Sequence, residues 1–135
     1  MSVHRQTALS FASAVSNKRI DEAASYLSEE FLWRPHPERL GGLGRPEGHT
    51  KSQFLELMRG LNNIKRWNFN TENPMKVIEN DNSIVVHLHG NPEHVSGKVF
   101  SAEYVYMIDF DERGKIQILD EFFDTVYMEE LARLG

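Results

Sequence analysis

The chain has 135 residues, a net charge of −5 and no cysteine. That length suits one domain, residues 1–135, with a core that needs no staples. The acidic balance offers no basic field to meet phosphates, and the missing thiols exclude disulfides, cysteine nucleophiles and Cys-ligated zinc.

No apolar run approaches the ~20 residues needed to cross a bilayer. Ala8 to Val15 is weakly apolar, has helical spacing and runs into Asn17-Lys18-Arg19. It reads as part of the fold rather than a leader, so the cytoplasm is the expected location.

In chain order, Ala8, Phe11, Ala12 and Val15 stand at i, i+3, i+4 and i+7, which predicts an amphipathic helix over about 3–16. Asp21 starts a second, shorter helix carrying Ala23, Ala24 and Leu27 inward. Phe31-Leu32-Trp33 reads as a short strand stopped by Arg34-Pro35-His36-Pro37. A glycine-rich loop follows over residues 38–49. Its spacing fits neither a dinucleotide fingerprint nor a P-loop. Thr50 and Gln53 have capping-box spacing ahead of Phe54, Leu57, Met58 and Leu61, which predicts a third helix.

From there the period changes to two. Strands are expected at 64–70, 75–79, 83–89 and 99–110, with loop residues at Asn91 to His94 and a turn at Asp111 to Gly114. The last strand runs from Gly114 to Asp124, and a short helix ends the chain at 125–134. Helices first and a meander after them make an α+β pattern. The expected architecture is a cone: three front helices on a strongly curved, mainly antiparallel sheet, with a pocket wherever the helices leave the concave face unfilled.

The last strand carries the most informative pattern. Leu119, Glu121 and Phe123 share one face, and Ile118, Asp120 and Phe122 share the other. Each face mixes apolar groups with a carboxylate, and a buried carboxylate is costly without a partner. Glu121 is therefore a candidate for acid–base work. His87 and His89 share a strand face with Val85, and Tyr104 and Tyr106 share one with Ala102, Ile108 and Phe110. If these faces converge, two imidazoles, two phenols and a carboxylate meet in one cavity. His87 and His89 could instead face solvent, and the tyrosines are also ordinary strand formers. Glu121 could simply pair with Arg113 or Lys115. A metal site built from His87 and His89 with His94, His36 or Glu121 has no recognised spacing, so no metal is assigned.

Gly114-Lys115-Ile116 followed by Glu121-Phe122-Phe123-Asp124 resembles the closing strand of SnoaL-like proteins in the nuclear transport factor 2-like superfamily. Ser83 to Gly90 is similar to the preceding apolar strand of that superfamily, and the front helices, Trp33 and the capped helix fall in its order. Trp33-Arg34-Pro35, Arg45-Pro46 and Glu103-Tyr104 look like small fungal SnoaL-like proteins. The resemblance implies the cone fold, often as a homodimer, with acid–base residues inside. In the epoxide hydrolases of the superfamily, the acidic residue at the position of Glu121 is catalytic. Their preceding strand carries Arg and Asp where this chain has His87 and His89, so epoxide hydrolysis is not implied.

The expected function is a cofactor-independent isomerase, cyclase or dehydratase acting on a hydrophobic small molecule. Glu121, His87 and His89 are its expected catalytic residues. Trp33, Leu57, Met58, Tyr104, Tyr106, Leu119 and Phe123 are expected to contact the substrate. The alternative is a ligand-binding or dimerisation module that does no chemistry. Neither reading involves nucleic acid or membrane.

Overall fold

A computed structural model describes all of residues 1–135. Its elements are α1 (Val3–Ser16), α2 (Ile20–Ser25), β1 (Leu27–His36), β2 (His49–Thr50), α3 (Lys51–Gly60), β3 (Ile64–Arg66), β4 (Lys76–Glu79), β5 (Ser83–Gly90), β6 (Glu93–His94), β7 (Ala102–Phe110), β8 (Ile116–Phe122) and α4 (Thr125–Leu134). The main sheet has the order β2-β1-β8-β7-β5-β4, and β3 and β6 form a second, two-stranded sheet. The fold is α+β, as expected. The main sheet is mixed rather than wholly antiparallel, because β1 runs parallel to β8. It is open, with β2 and β4 at its edges.

Helix ends follow local chemistry. Ser2 caps α1 by accepting from the Arg5 N–H. Thr50 and Gln53 form the reciprocal capping box at the start of α3. Asp124 accepts from the Tyr127 N–H and so starts α4 directly after β8.

The strand β1 is longer than the sequence suggests, ten residues including Pro35. Proline is tolerated there because β2 pairs only with Leu32 and Trp33, leaving the Pro35 nitrogen beyond the short edge partner. Glu93 and His94, expected in a loop, form β6 against β3.

One face of the sheet is buried under the helices. Ile84, Val86 and Leu88 of β5 lie beside Tyr104, Tyr106 and Ile108 of β7, and these beside Leu119 and Glu121 of β8. Phe11 and Val15 of α1 and Phe54 and Met58 of α3 pack onto that face. Each such apolar side chain contributes roughly 1.5–3 kcal/mol on burial. No helix is long and apolar enough to cross a membrane.

Candidate functional site

The inner face encloses a cavity of about 130 Å³ lined by 18 residues, of which Glu121 and Asn63 are the two without an apolar or aromatic body. The lining draws on every layer of the fold. Trp33 comes from β1, Phe54, Leu57 and Met58 from α3, Tyr104 and Tyr106 from β7, and Glu121 and Phe123 from β8 and its end. Tyr127, Met128 and Leu131 of α4 cover one side. A wider polar depression of about 820 Å³ lies elsewhere, beside Glu29, Glu30, Asp111 and Arg113. It is open to solvent and has only Leu27 and Phe110 as apolar walls.

Glu121 stands between Pro35 of β1 and Tyr106 of β7 in the strand register. Its side chain is buried, 7% exposed. Its side-chain partner is the Trp33 indole, whose Nε1–H donates to Oε1 at 3.0 Å. His49 packs on the Trp33 ring at 5.0 Å, and Phe54 meets it edge-on at 5.1 Å, so the indole is held in place from two sides. Burial pushes the Glu121 carboxyl up to about 8, and the Trp33 hydrogen bond only partly opposes this. Glu121 is therefore a neutral acid at pH 7.

Asp120, the next residue, has the opposite fate. It points to the outer face, where Arg34 grips it with two bonds of 2.8 and 2.9 Å and His36 Nε2 lies at 2.8 Å. Burial pushes its carboxyl up, but the hydrogen bonds from Arg34 and His36 outweigh that and hold it below the usual range. One strand thus carries two carboxyl groups, ionised outside and neutral inside.

The Tyr104 hydroxyl is buried and has no hydrogen-bond partner. The Tyr127 phenol lies close enough to act on its titration, by charge and as a loose hydrogen-bonding neighbour, although no bond of ordinary geometry joins the two hydroxyls. Burial pushes the Tyr104 phenol far above its ordinary value, with smaller contributions from Tyr127 and Glu121. Burial likewise pushes Tyr106 well up and Tyr127 up to about 12. All three phenols are uncharged donors.

The expected convergence of His87 and His89 with Glu121 does not form. On β5 the alternation buries Ile84, Val86 and Leu88 and turns His87 and His89 to the opposite face. There His87 Nε2 lies 2.7 Å from Glu103 Oε1, and His89 Nε2 lies 2.8 Å from Ser101 Oγ. The reason is the stronger burial drive of three aliphatic side chains against one valine and two imidazoles. That imbalance is legible in Ser83 to Gly90 itself. Leu119 is fully buried but does not line the cavity. Trp33, Leu57, Met58, Tyr104, Tyr106 and Phe123 do. Phe54, Phe69, Trp67 and Tyr127 also line it. Phe54 had a signal in its inward helical spacing on α3, whereas Tyr127 on α4 had none stronger than its place after the Asp124 cap. His36 and His94 sit apart, the first on Asp120 and the second on Ser96 and the Gly135 carbonyl.

No protein-family model matches the chain, and no curated protein is similar to it in sequence. Its fold, however, is shared with solved structures. An NTF2-like protein of unknown function from Burkholderia pseudomallei superposes with a TM-score of 0.78 at 22% identity, covering 97% of this chain and 98% of that one. TerC, co-crystallised with polyporic acid, gives 0.76 at 21% identity, over 96% and 98% of the two chains. A protein from Shewanella denitrificans, provisionally named a SnoaL-like polyketide cyclase, gives 0.75 at 11% identity over the full length of both. The order of helices and strands, the parallel β1–β8 pairing and these superpositions establish that the chain has the NTF2-like fold, which it shares with SnoaL-like proteins.

Proposed function

We propose that the protein is a cofactor-independent acid–base enzyme that acts on a hydrophobic small molecule in the cavity of its cone, with Glu121 carrying the proton. The observation behind this reading is the Glu121 carboxyl, buried among apolar walls with Trp33 as its side-chain partner. An ionised carboxylate left so nearly alone costs several kcal/mol, so the group holds its proton at neutral pH and gives it up near pH 8. Below that pH it serves as an acid toward a carbonyl or leaving hydroxyl. Above it, it serves as a base toward a carbon acid. Tyr104, with its unpaired hydroxyl, donates to the oxygen on which charge develops. Trp33, Leu57, Met58, Tyr106 and Phe123 shape the wall.

This role is that of an isomerase, cyclase or dehydratase, and the likeness to a SnoaL-like polyketide cyclase and to TerC with polyporic acid supports a place in secondary metabolism. His87 and His89 have no part in it, since they lie across the sheet. The assembly proposed with it is a homodimer joined through the outer sheet face, where Phe122 and Ile78 are exposed. Analytical ultracentrifugation checks that assembly, and a monomer at micromolar concentration rejects it.

The test is α-proton exchange of small apolar ketones in D2O, followed by NMR. Wild type is expected to accelerate exchange with a rate that rises through pH 8, and Glu121→Gln is expected to abolish it. Exchange no faster than buffer, or unchanged in Glu121→Gln, rejects Glu121 as the proton carrier. One feature favours a second reading, a ligand-binding module without chemistry: the cavity is small beside the roughly 300–1,000 Å³ of common ligand sites. Ligand binding with no exchange across the ketone series supports that second reading.

A further inference from the structure

The charge character of the cavity wall is one-sided. Eight of its lining residues are aromatic, Trp33, Phe54, Phe69, Tyr104, Phe123 and Tyr127 among them. Glu121 is the sole acid in the lining, which holds no lysine, arginine or histidine, although Lys18 already places its Nζ 5.8 Å from the centroid of the Trp67 ring and donates to the Leu61 carbonyl. The rings do not stack flat. Trp33 and Phe54 meet at 67°, Tyr104 and Phe123 at 72°, and Tyr104 and Tyr127 at 67°. Each edge-to-face contact sets the positive edge of one ring on the negative face of the other, so it uses one π face of the pair and leaves the remaining faces to other neighbours. Once Glu121 is ionised, its carboxylate and the rings that no cation occupies attract positive charge.

We infer that this cavity is a binding site for a small organic monocation of the alkylammonium class, seated among the aromatic rings and paired with the Glu121 carboxylate. Three observations point to that class. The cavity, about 130 Å³, has room for a tetramethylammonium-sized ion. A metal cation would have to shed water with only one carboxyl group and a few hydroxyls to replace it, whereas an alkylammonium ion is weakly hydrated and gains from aromatic faces. The buried Tyr104 hydroxyl lacks a partner and can accept from a tertiary ammonium N–H. On binding, the Glu121 proton leaves for solvent and the cation takes its place as the neutralising charge. This inference needs no turnover and goes beyond the proton-transfer reading.

Calorimetric titration at pH 7 of the full chain tests it, with tetramethylammonium chloride and tert-butanol as a charged and a neutral probe of similar shape. The expected result is tetramethylammonium affinity at least about ten-fold above that for tert-butanol. The binding heat should also vary with the ionisation heat of the buffer, because protons are released. Glu121→Gln is expected to bind the two probes alike. Phe123→Leu, which keeps an apolar side chain and removes a ring, is expected to lower the tetramethylammonium affinity several-fold and spare tert-butanol, so the inference is tested even if Glu121→Gln misfolds. Equal affinities in wild type, or no tetramethylammonium binding by protein with native circular dichroism, overturns the cation site. Failure of ketone exchange alongside selective tetramethylammonium binding would remove the enzymatic reading and leave this one standing.

Discussion

The Trp33 indole N–H donates to Glu121 Oε1 at 3.0 Å, joining two neighbouring parallel strands through their inward side chains. Trp33 pairs with Leu119 and Pro35 with Glu121, so the indole reaches diagonally, one inward position along β1, to meet the carboxyl. Trp33→Phe keeps an aromatic ring and removes the donor. We expect a loss of about 1–3 kcal/mol in urea unfolding, since a buried carboxyl is left unpartnered. The Glu121 carboxyl should also titrate above about 8, because the Trp33 bond is what pulls it down. Carbon-13 NMR of labelled glutamate carboxyls reads this, and an unchanged titration would show that the bond is absent in solution.

Stability should fall as pH rises, and Glu121 is the reason. Its ordinary value is 4.5 and its folded value about 8. Below 4.5 both folded and unfolded chains hold the proton. Between 4.5 and 8 the folded chain keeps a proton that the unfolded chain has released, so stability drops by about 1.4 kcal/mol per pH unit. Above 8 the loss is complete, at roughly 5 kcal/mol. Glu121→Gln removes that slope, so the variant should match wild type near pH 4.5 and exceed it by several kcal/mol at pH 9. Parallel curves for the two proteins across pH 5–9 would mean that the carboxyl is ionised in the folded state.

The unpaired Tyr104 hydroxyl makes an unusual forecast for a core substitution. Removing a buried polar atom with no partner leaves no orphan behind, so Tyr104→Phe should be neutral or stabilising by up to about 1 kcal/mol. Ketone exchange should nevertheless fall roughly ten-fold, because the oxygen of the reacting group loses its donor. Destabilisation by more than about 1 kcal/mol would mean that the hydroxyl has a partner in solution.

His87→Ala and His89→Ala should behave as outer-face substitutions. His87 shares a half-exposed pair with Glu103, and such pairs contribute about 0–1 kcal/mol. Neither variant should move the Glu121 titration or ketone exchange. A shift in either measurement would place an imidazole near the cavity and reverse the face assignment of β5.

Much of the fold was legible because its signals are local. The capping box at Thr50 and Gln53, the helical spacing from Ala8 to Val15 and the period-two strands from Ser83 onward each depend on residues close in sequence. The short pairings were not legible. Glu93 and His94 form a strand only because β3 lies beside them, and Pro35 is tolerated in β1 only because β2 ends early. The parallel pairing of β1 with β8 joins residues more than eighty positions apart, and no local pattern announces it.

The site divides in the same way. The alternation of Glu121 with Asp120, and the cost of burying either, were properties of the sequence alone. Which carboxyl would be neutral was decided by tertiary structure. Arg34 and His36 lie across the outer face from Asp120, whereas Glu121 meets an indole and aromatic walls. The same choice of face removed His87 and His89 from the cavity, and α4 folded Tyr127 into it. Residue type and period set what each strand could bury. Strand partners and the packing of helices set which face became the inside, because burial free energy is summed over the whole sheet rather than strand by strand.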